Sequence, residues 1–307
     1  MVRYLAYRVA GMIPIIFGVT LIVFVAGRLA PGDPVQILFG DISNPLVEAR
    51  ARAQLGLDRP MPVQYVQFLG RLARLDFGTS YAYPGVRVSA VVGQALPVTM
   101  ALGLFAMLLA VLAGVPLGMV AALRARSWVD QAVRGVTLLG IAVPFFVVAV
   151  GLVLTFSLRL RWLPVSGWGD PAHAVLPVAV LTLRPLAYIT RITRLSVLAA
   201  LGQDYVRTAR AKGLAVWAIT SRHALRNAAI TIVTTVGLAL SLAFTGAFVT
   251  EIIFGIPGMG RATVTAIFQR DYPVIQAVVM LYTALFLLLN LLMDLAYTAL
   301  DPRVRYT

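Results

Sequence analysis

The sequence predicts an all-α membrane protein with six transmembrane helices. Its 307 residues are 60% hydrophobic, and the mean hydropathy is +0.88. Charged residues make up 12% of the chain, about half the share of roughly 25% that is typical of soluble domains. Lipid is therefore expected to be the main solvent and a principal partner of this protein.

Long apolar stretches define the spans. A helix needs about 20 apolar residues to cross a bilayer. Five stretches of that kind carry no charge, and a sixth is interrupted only by Arg184. The predicted spans are residues 9–27, 95–123, 135–158, 174–190, 227–250 and 272–293. We interpret residues 1–29 as a retained transmembrane helix, because the uncharged run is longer than that of a usual signal peptide.

The basic residues predict the orientation. Cytoplasmic loops of membrane proteins carry an excess of Lys and Arg. With the N-terminus inside, the cytoplasmic segments hold fourteen of the 26 basic residues and three acids. These segments are residues 1–8, 124–134, 191–226 and the tail 301–307. We therefore expect a multi-pass protein of the cell (inner) membrane with both termini in the cytoplasm. A net charge of +14 placed in this way favours lipid headgroups over nucleic acid.

Residues 30–94 form a predicted extracytoplasmic segment between spans one and two. Pro31-Gly32-Asp33-Pro34 cannot continue a helix, so the first span is expected to end there. Residues 45–52 and 62–75 are predicted to form short amphipathic helices separated by a turn at 57–60. We expect a small cap and no independent domain. The remaining spans, residues 95–300, form a five-helix core that contains the loop 191–226.

The chain has no visible energy source of its own. Lys212 is the only lysine and lies in Arg-Ala-Lys-Gly, so the sequence contains no phosphate-binding loop. Ion-driven carriers place acids in mid-membrane, whereas Glu251 and Asp294 lie at span ends. Any driving force is therefore expected to come from a partner.

Catalytic and metal chemistry are also disfavoured. The chain has no cysteine, and its two histidines, His173 and His223, lie far apart. Ser166 and His173 share one external loop, which is not the arrangement of an intramembrane serine protease. We predict no catalytic residue, no metal site and no cofactor bound by this chain.

The loop between spans four and five contains the strongest local pattern. Asp204 is expected to cap a short helix, Arg207 and Arg210 share one face of it, and Gly213 ends it. A second helical stretch is predicted over residues 217–227. The loop is either a solvated cationic segment of the kind the positive-inside rule explains, or a short helix that docks into a groove of a partner.

This segment resembles the cytoplasmic loop of dipeptide/oligopeptide-type ABC permeases. The matching residues are Tyr205, Val206, Arg207, Thr208, Ala209, Arg210, Ala211, Lys212, Gly213 and Leu214, followed by His223-Ala224-Leu225-Arg226-Asn227-Ala228. In the general pattern of that loop, Glu-Ala-Ala-x-x-x-Gly, Gly213 and Ala209 match. Arg207 and Thr208 depart from it, as is typical of the peptide subclass.

Other fragments are similar to the B-type subunit of these importers in the same order along the chain. They are Leu29-Ala30-Pro31-Gly32-Asp33-Pro34, Leu55-Gly56-Leu57-Asp58-Arg59-Pro60, Asp76-Phe77-Gly78-Thr79-Ser80, Glu251-Ile252-Ile253-Phe254-Gly255-Ile256-Pro257-Gly258-Met259-Gly260 and Asp301-Pro302-Arg303. The resemblance therefore covers nearly the whole chain.

The resemblance implies the type I ABC importer permease fold and a set of partners. A second homologous permease would complete the translocation pathway. Two cytoplasmic ATPase subunits would bind ATP and Mg²⁺ and engage the coupling residues 204–213. An extracytoplasmic binding protein would deliver di- or oligopeptides. The same scaffold importing nickel, glutathione or oligosaccharides remains an alternative, as do a secondary carrier or channel and a structural scaffold.

Two further sites carry hypotheses. Arg184 is either a hydrogen-bonding strut beside Pro185 or a cation in the substrate pathway that attracts a peptide carboxylate. The segment after span five is either an ordinary interfacial loop or an irregular turn that acts as an outer gate or contacts the binding protein. Its candidate residues are Glu251, Phe254, Pro257, Gly258 and Gly260.

Overall fold

The computed structural model describes residues 2–30, 33–39 and 45–300, apart from a few side chains within them. Its described residues are almost entirely helical. The predicted tail 301–307 and the start of the predicted extracytoplasmic segment, at residues 31–32 and 40–44, lie outside the described residues. The chain divides into two compact units, Met1–Val98 with Pro257–Leu288 and Thr99–Ile256 with Leu289–Thr307.

The first unit contains the N-terminal helices. They are α1 (Val2–Leu29), α2 (Pro34–Phe39), α3 (Pro45–Gln54) and α4 (Met61–Leu72). Helices α3 and α4 are the two short helices that the sequence predicts. The side chain of Arg52 binds those of Glu48 and Asp33, which joins α3 to the start of α2.

Three further helices build the core of the first unit. They are the start of α5 (Val88–Leu123), all of α12 (Met259–Phe268) and the start of α13 (Tyr272–Leu300). Val88, Met259 and Ala277 are among the buried side chains that pack together there. Helix α12 was not predicted, because its sequence resembles a Gly-rich external loop.

A buried carboxylate holds the loop before α5 in the first unit. Asp271 is 1% exposed and accepts hydrogen bonds from the Ser80 hydroxyl and from the Tyr81 amide, the latter at 3.0 Å. The Ser80 hydroxyl in turn accepts from the amide of Tyr83 at 2.9 Å. These bonds fix residues 80–83 against the start of α13.

The second unit is a bundle around α8. Its helices are the end of α5, α6 (Trp128–Ala142), α7 (Phe145–Leu152), α8 (Pro171–Leu201), α9 (Asp204–Ala211), α10 (Val216–Ala218), α11 (Leu225–Ile253) and the end of α13. Helix α8 packs against α11, α6 and α7. One end of this bundle has an apolar core that includes Met119, Val197 and Ile232.

The third predicted span, residues 135–158, is not a continuous helix. Helices α6 and α7 meet at a bend of 102°. Pro144 follows the break and begins α7 as its N-cap, since proline lacks the amide that a continuing helix needs. Helix α7 then continues as a π-helix over Val153–Arg159. The third predicted span is therefore broken at Pro144.

Four described helices are long and apolar enough to cross a membrane, or up to six if each bent pair counts as one span. The bent pairs are α6 with α7, and the segment from Val216 with α11. Helix α8 is longer than predicted and extends eleven residues beyond position 190. Both helix content and span number agree with the predicted six-span all-α fold.

Substitution of Gly118 tests the close packing of α5 against α8. A Cβ added to Gly118 on α5 would lie 2.6 Å from the carbonyl oxygen of Thr190 and 2.7 Å from the Cβ of Thr193 on α8. We expect Gly118→Ala to destabilise the protein by about 1–3 kcal/mol, because backbone must shift to admit the methyl group. Thermal unfolding in detergent measures this.

The matched control is Gly135→Ala on α6, where nothing lies within 4 Å of the added Cβ. This variant is expected to unfold at or above the wild-type temperature, because alanine is the better helix former. Equal midpoints for both variants would contradict the close packing of α5 on α8.

Candidate coupling site

Helix α9 is a short amphipathic helix that follows directly after α8. Val206 and Ala209 are buried and pack with Ile219, and partly buried Leu201 completes the contact. The other residues of the predicted coupling segment are exposed. These are Asp204, Tyr205, Arg207, Thr208, Arg210, Ala211, Lys212 and Gly213. The helix is therefore seated on one face and leaves a cationic face open.

Gly213 ends α9 as predicted. Its φ of +77° lies in the left-handed region that glycine adopts without strain. The amide of Gly213 donates to the carbonyl of Arg210 at 2.9 Å, and the amide of Leu214 donates to that of Ala209 at 3.3 Å. These bonds satisfy the last carbonyls of the helix and turn the chain back sharply.

The expected cap at the start of α9 is wrong. Gln203 occupies the N-cap position with an extended backbone, and no side chain caps the helix there. Asp204 lies one residue later, in the first turn, where it faces Arg207 at 3.4 Å between Oδ1 and Nη1. Both side chains are exposed, so this pair contributes little to stability.

The second predicted helical stretch, residues 217–227, is helical but not separate. Helix α10 passes into a π-helical turn over Ile219–Ala224 and then into α11. Ile219 contacts the buried face of α9, so α9 packs against the segment that leads into α11. On its other side, α9 follows α8 after only two residues.

A buried ion pair holds the C-terminal third of α8 against α6. Asp130, 1% exposed, accepts from Arg194 through Nε at 2.5 Å and through Nη2 at 2.8 Å. Its carboxylate also accepts from the amide of Arg126 at 2.9 Å. The Ser127 hydroxyl caps α6 by accepting the Asp130 amide at 3.4 Å. This network ties the start of α6 to the last third of α8.

Sequence reasoning did not identify this pair. Asp130 counted only as one of three cytoplasmic acids. The spacing of Ser127 and Asp130, three residues apart before an apolar run, is the signature of a capped helix start and could have located Asp130. Nothing in the sequence alone brings Arg194 to it.

The candidate pathway residue Arg184 lies near the middle of α8. Its side chain is exposed on the surface of the chain and has no ion pair or hydrogen bond within the described residues. The strut interpretation therefore finds no support here. Arg191, seven residues later, is exposed on the same helical face.

The five candidate gate residues fall into different units. In the second unit, Glu251 is fully buried and accepts from the Thr99 hydroxyl at 2.6 Å, and the carbonyl of buried Phe254 accepts from the Gly167 amide at 2.9 Å. In the first unit, Gly258 is the N-cap of α12 and Gly260 is buried, whereas Pro257 is exposed. The role of these residues as a gate stays a prediction.

The described residues contain no cluster of three or more His, Asp or Glu side chains that could hold a metal ion. Within the described residues, the main feature of this site is the way one short helix is attached to the bundle. An apolar helical bundle carries a short cationic helix, seated on the junction of two of its long helices. This arrangement is that of a membrane-spanning subunit with one short cationic helix exposed at one end of its bundle.

Solved structures with this fold are transporter permeases. The chain is similar to a subunit in inward-facing structures of a methionine ABC transporter, with a TM-score of 0.60, 15% identity, and coverage of 69% of this chain and 96% of that one. An amino acid ABC transporter gives a TM-score of 0.51 at 19% identity, covering 69% of this chain and 94% of that one. At these identities the similarity establishes the type I importer permease fold.

The chain belongs to the family of binding-protein-dependent transport system inner membrane components. Residues 114–306 match that family, and residues 1–103 match the N-terminal family of the same membrane components. The family assignment confirms the predicted resemblance and a multi-pass protein of the inner membrane.

Curated relatives match over nearly the full length of the chain. A probable peptide ABC transporter permease of Sinorhizobium fredii is 40% identical over 99% of both chains. A dipeptide transport system permease of Bacillus subtilis is 39% identical over 99% of this chain and 98% of that one. A glutathione transport system permease of Salmonella choleraesuis is 37% identical over the whole of both.

The Asp130–Arg194 pair gives a testable prediction. Removing one partner leaves the other charge buried and uncompensated, so Asp130→Asn is expected to destabilise the protein by about 3–5 kcal/mol. Thermal unfolding of the purified chain in detergent measures the loss.

Arg134→Gln is the matched control. The Arg134 side chain is 56% exposed and lies 3.6 Å from the same carboxylate, so its removal is expected to change stability by less than about 1 kcal/mol. Losses of equal size in the two variants would show that the bidentate pair does not hold α6 to α8.

Proposed function

We propose that this chain is the transmembrane permease subunit of an ATP-driven, binding-protein-dependent importer of di- and oligopeptides. It forms half of the translocation pathway, and a second homologous permease forms the other half. The observation that carries the proposal is α9, a seated helix with an open cationic face at the junction of α8 and the segment leading into α11.

The energy for transport comes from partner subunits that hydrolyse ATP. Two cytoplasmic ATPase subunits bind ATP and Mg²⁺, and each engages the coupling residues 204–213 of one permease. Closure of the ATPases displaces α9, and the rigid contacts of Val206 and Ala209 pass that displacement to α8 and α11. The pathway then alternates between inward-facing and outward-facing states as rigid bodies move.

An open groove beside α9 supports a docking role. Tyr205, Arg222, Arg226 and Asn227 line a cavity of about 430 Å³ between α9 and the start of α11. Its two arginines favour an acidic partner surface. The ATPase surface that receives α9 is accordingly expected to carry carboxylates near the groove.

The orientation follows from the same assignment. Segments 124–134 and 191–226 lie in the cytoplasm together with both termini, and segment 30–94 lies outside, where a substrate-binding protein delivers peptide. The excess of arginine over acids in the cytoplasmic segments supports this arrangement. The substrate class rests on the names of the peptide and dipeptide relatives.

Glutathione is the second candidate substrate. A relative of equal coverage is named a glutathione permease, and its identity to this chain is only three percentage points below that of the first peptide relative. Glutathione is itself a tripeptide, so the two candidates differ in substrate range and not in mechanism. Binding of a peptide panel and glutathione to the cognate binding protein distinguishes them.

Coupling through α9 is tested by crosslinking. The chain contains no cysteine, so a single introduced thiol reports one position without background. Ala211→Cys lies on exposed surface at the end of α9. We expect it to crosslink to a co-purified ATPase subunit, with a yield that changes when ATP is bound.

Ser166→Cys, exposed in the loop before α8, serves as the control and is expected to capture no ATPase. Failure of Ala211→Cys to capture any ATPase would remove the coupling assignment. Solute transport by the purified chain alone would instead favour a secondary carrier.

Arg184 gives a second prediction for transport. Arg184 has no ion pair or hydrogen bond among the described residues and is therefore available to a substrate carboxylate. Loss of one charge-assisted contact of about 1.5 kcal/mol reduces affinity roughly tenfold. Arg184→Ala is therefore expected to lower peptide uptake about tenfold while the transporter still assembles. Uptake by membrane vesicles measures this.

Arg191→Ala is the matched control on the same face of α8, nearer the cytoplasmic end of the helix. It should leave the affinity for peptide unchanged. Wild-type uptake by Arg184→Ala would exclude Arg184 from the pathway.

A further inference from the structure

A basic cavity lies at the C-terminal end of α1, within the first unit. Its volume is about 590 Å³, which is in the range of small-molecule sites. The walls come from α1, α4, the loop that precedes α5 and the start of α13. Four arginines line it, Arg28, Arg71, Arg74 and Arg87.

The positive charge of this cavity is not neutralised by the acidic side chains that line it. None of the four arginines forms an ion pair within the described part of the chain. One carboxylate, Asp76, borders the cavity, and it accepts the amide of Gly78 at 3.0 Å. Burial raises the pKa of the neighbouring Tyr81, so its phenol stays neutral and offsets no charge. The cavity therefore has the composition of an anion site.

Arg28 places the cavity at the edge of the membrane. It is the penultimate residue of α1, a helix apolar enough to span, and arginine at such a position lies at the depth of lipid headgroups. Its half-buried guanidinium lies over the ring of Phe24, with 5.5 Å between Cζ and the ring centroid. This contact holds the cation in place without neutralising it.

Apolar side chains share one face of α1 with this arginine, and the nearest of them, Phe24, is buried against Tyr65 and Phe68 of α4. Phe17, Leu21, Phe24 and Arg28 follow one another at helical spacing and share one face. Phe17 is 51% and Leu21 42% exposed. Acyl chains can lie against these two side chains while a headgroup reaches Arg28. A free phosphate or a protein carboxylate would make no use of this apolar stripe.

We propose that this cavity binds the phosphate of an anionic phospholipid, with the lipid tails along the Phe17–Leu21 face of α1. Arg28 and Arg71 hold the phosphate, and Arg74 and Arg87 extend the basic rim. The bound lipid would anchor α1 and α4 to each other at the membrane surface.

The test is lipid retention by the full-length chain, purified in detergent with its co-purifying subunits. Delipidated protein is exposed to phosphatidylglycerol or phosphatidylcholine, and the retained lipid is counted by native mass spectrometry. We expect wild type to retain phosphatidylglycerol preferentially, and Arg28→Gln to reduce that retention about fivefold, as for loss of one arginine near a headgroup. Arg28→Gln/Arg71→Gln should abolish the preference.

Arg50→Gln on α3 is the matched control, an exposed arginine that does not line the cavity. It should behave as wild type. Unchanged elution volume and unfolding midpoint establish that each variant is folded. If a variant does not fold, the wild-type protein is tested instead by adding inorganic phosphate. A lipid site is expected to keep its phosphatidylglycerol under these conditions.

Three results would overturn the proposal. Equal retention of both lipids by wild type would remove lipid selectivity. Displacement of phosphatidylglycerol by inorganic phosphate would indicate a site for free phosphate. Preserved lipid preference in the double variant, with loss of ATPase stimulation by the binding protein, would assign the cavity to a protein carboxylate.

Discussion

The ion pair between Asp130 and Arg194 is the contact on which the geometry of the coupling site depends. Helix α9 is only eight residues long and is held by a small apolar contact, so its position is set by the end of α8. The bidentate pair fixes that end to the start of α6, and the Arg126 amide donates to the same carboxylate. The Ser127 hydroxyl caps this turn by accepting from the backbone amide of Asp130. Helix α9 is therefore attached to a helix that is itself braced against α6, as the proposed coupling role requires.

The close packing of α5 on α8 extends this bracing along the bundle. At Gly118 the two helices lie so close that there is no room for a side chain, and the contact includes the backbone nitrogen of Arg194. In a bilayer, helices gain little from burying apolar surface against each other, so such contacts and buried polar pairs supply specificity. The second unit uses both at the same end of α8.

The sequence predicts the spans well because lipid exposure requires long uncharged runs, which are visible without any tertiary information. Helix α9 was predictable for a local reason, since Gly213 and the amphipathic spacing of Val206 and Ala209 are both in the sequence. The break at Pro144 and helix α12 were not predicted, because a proline can kink or end a helix and a Gly-rich stretch can precede one. Asp130 and Asp271 find their partners through tertiary contacts that no local pattern encodes.

Among the described arginines, some are paired inside the fold and others have no ion pair. Arg194 is paired inside the fold and serves structure. Arg184 and the arginines around the α1 cavity have no ion pair within the described residues. An unpaired guanidinium in or beside a membrane is costly unless a ligand, lipid or partner subunit supplies the anion. The unpaired arginines are accordingly expected at surfaces where a substrate, a lipid or another subunit can supply the anion.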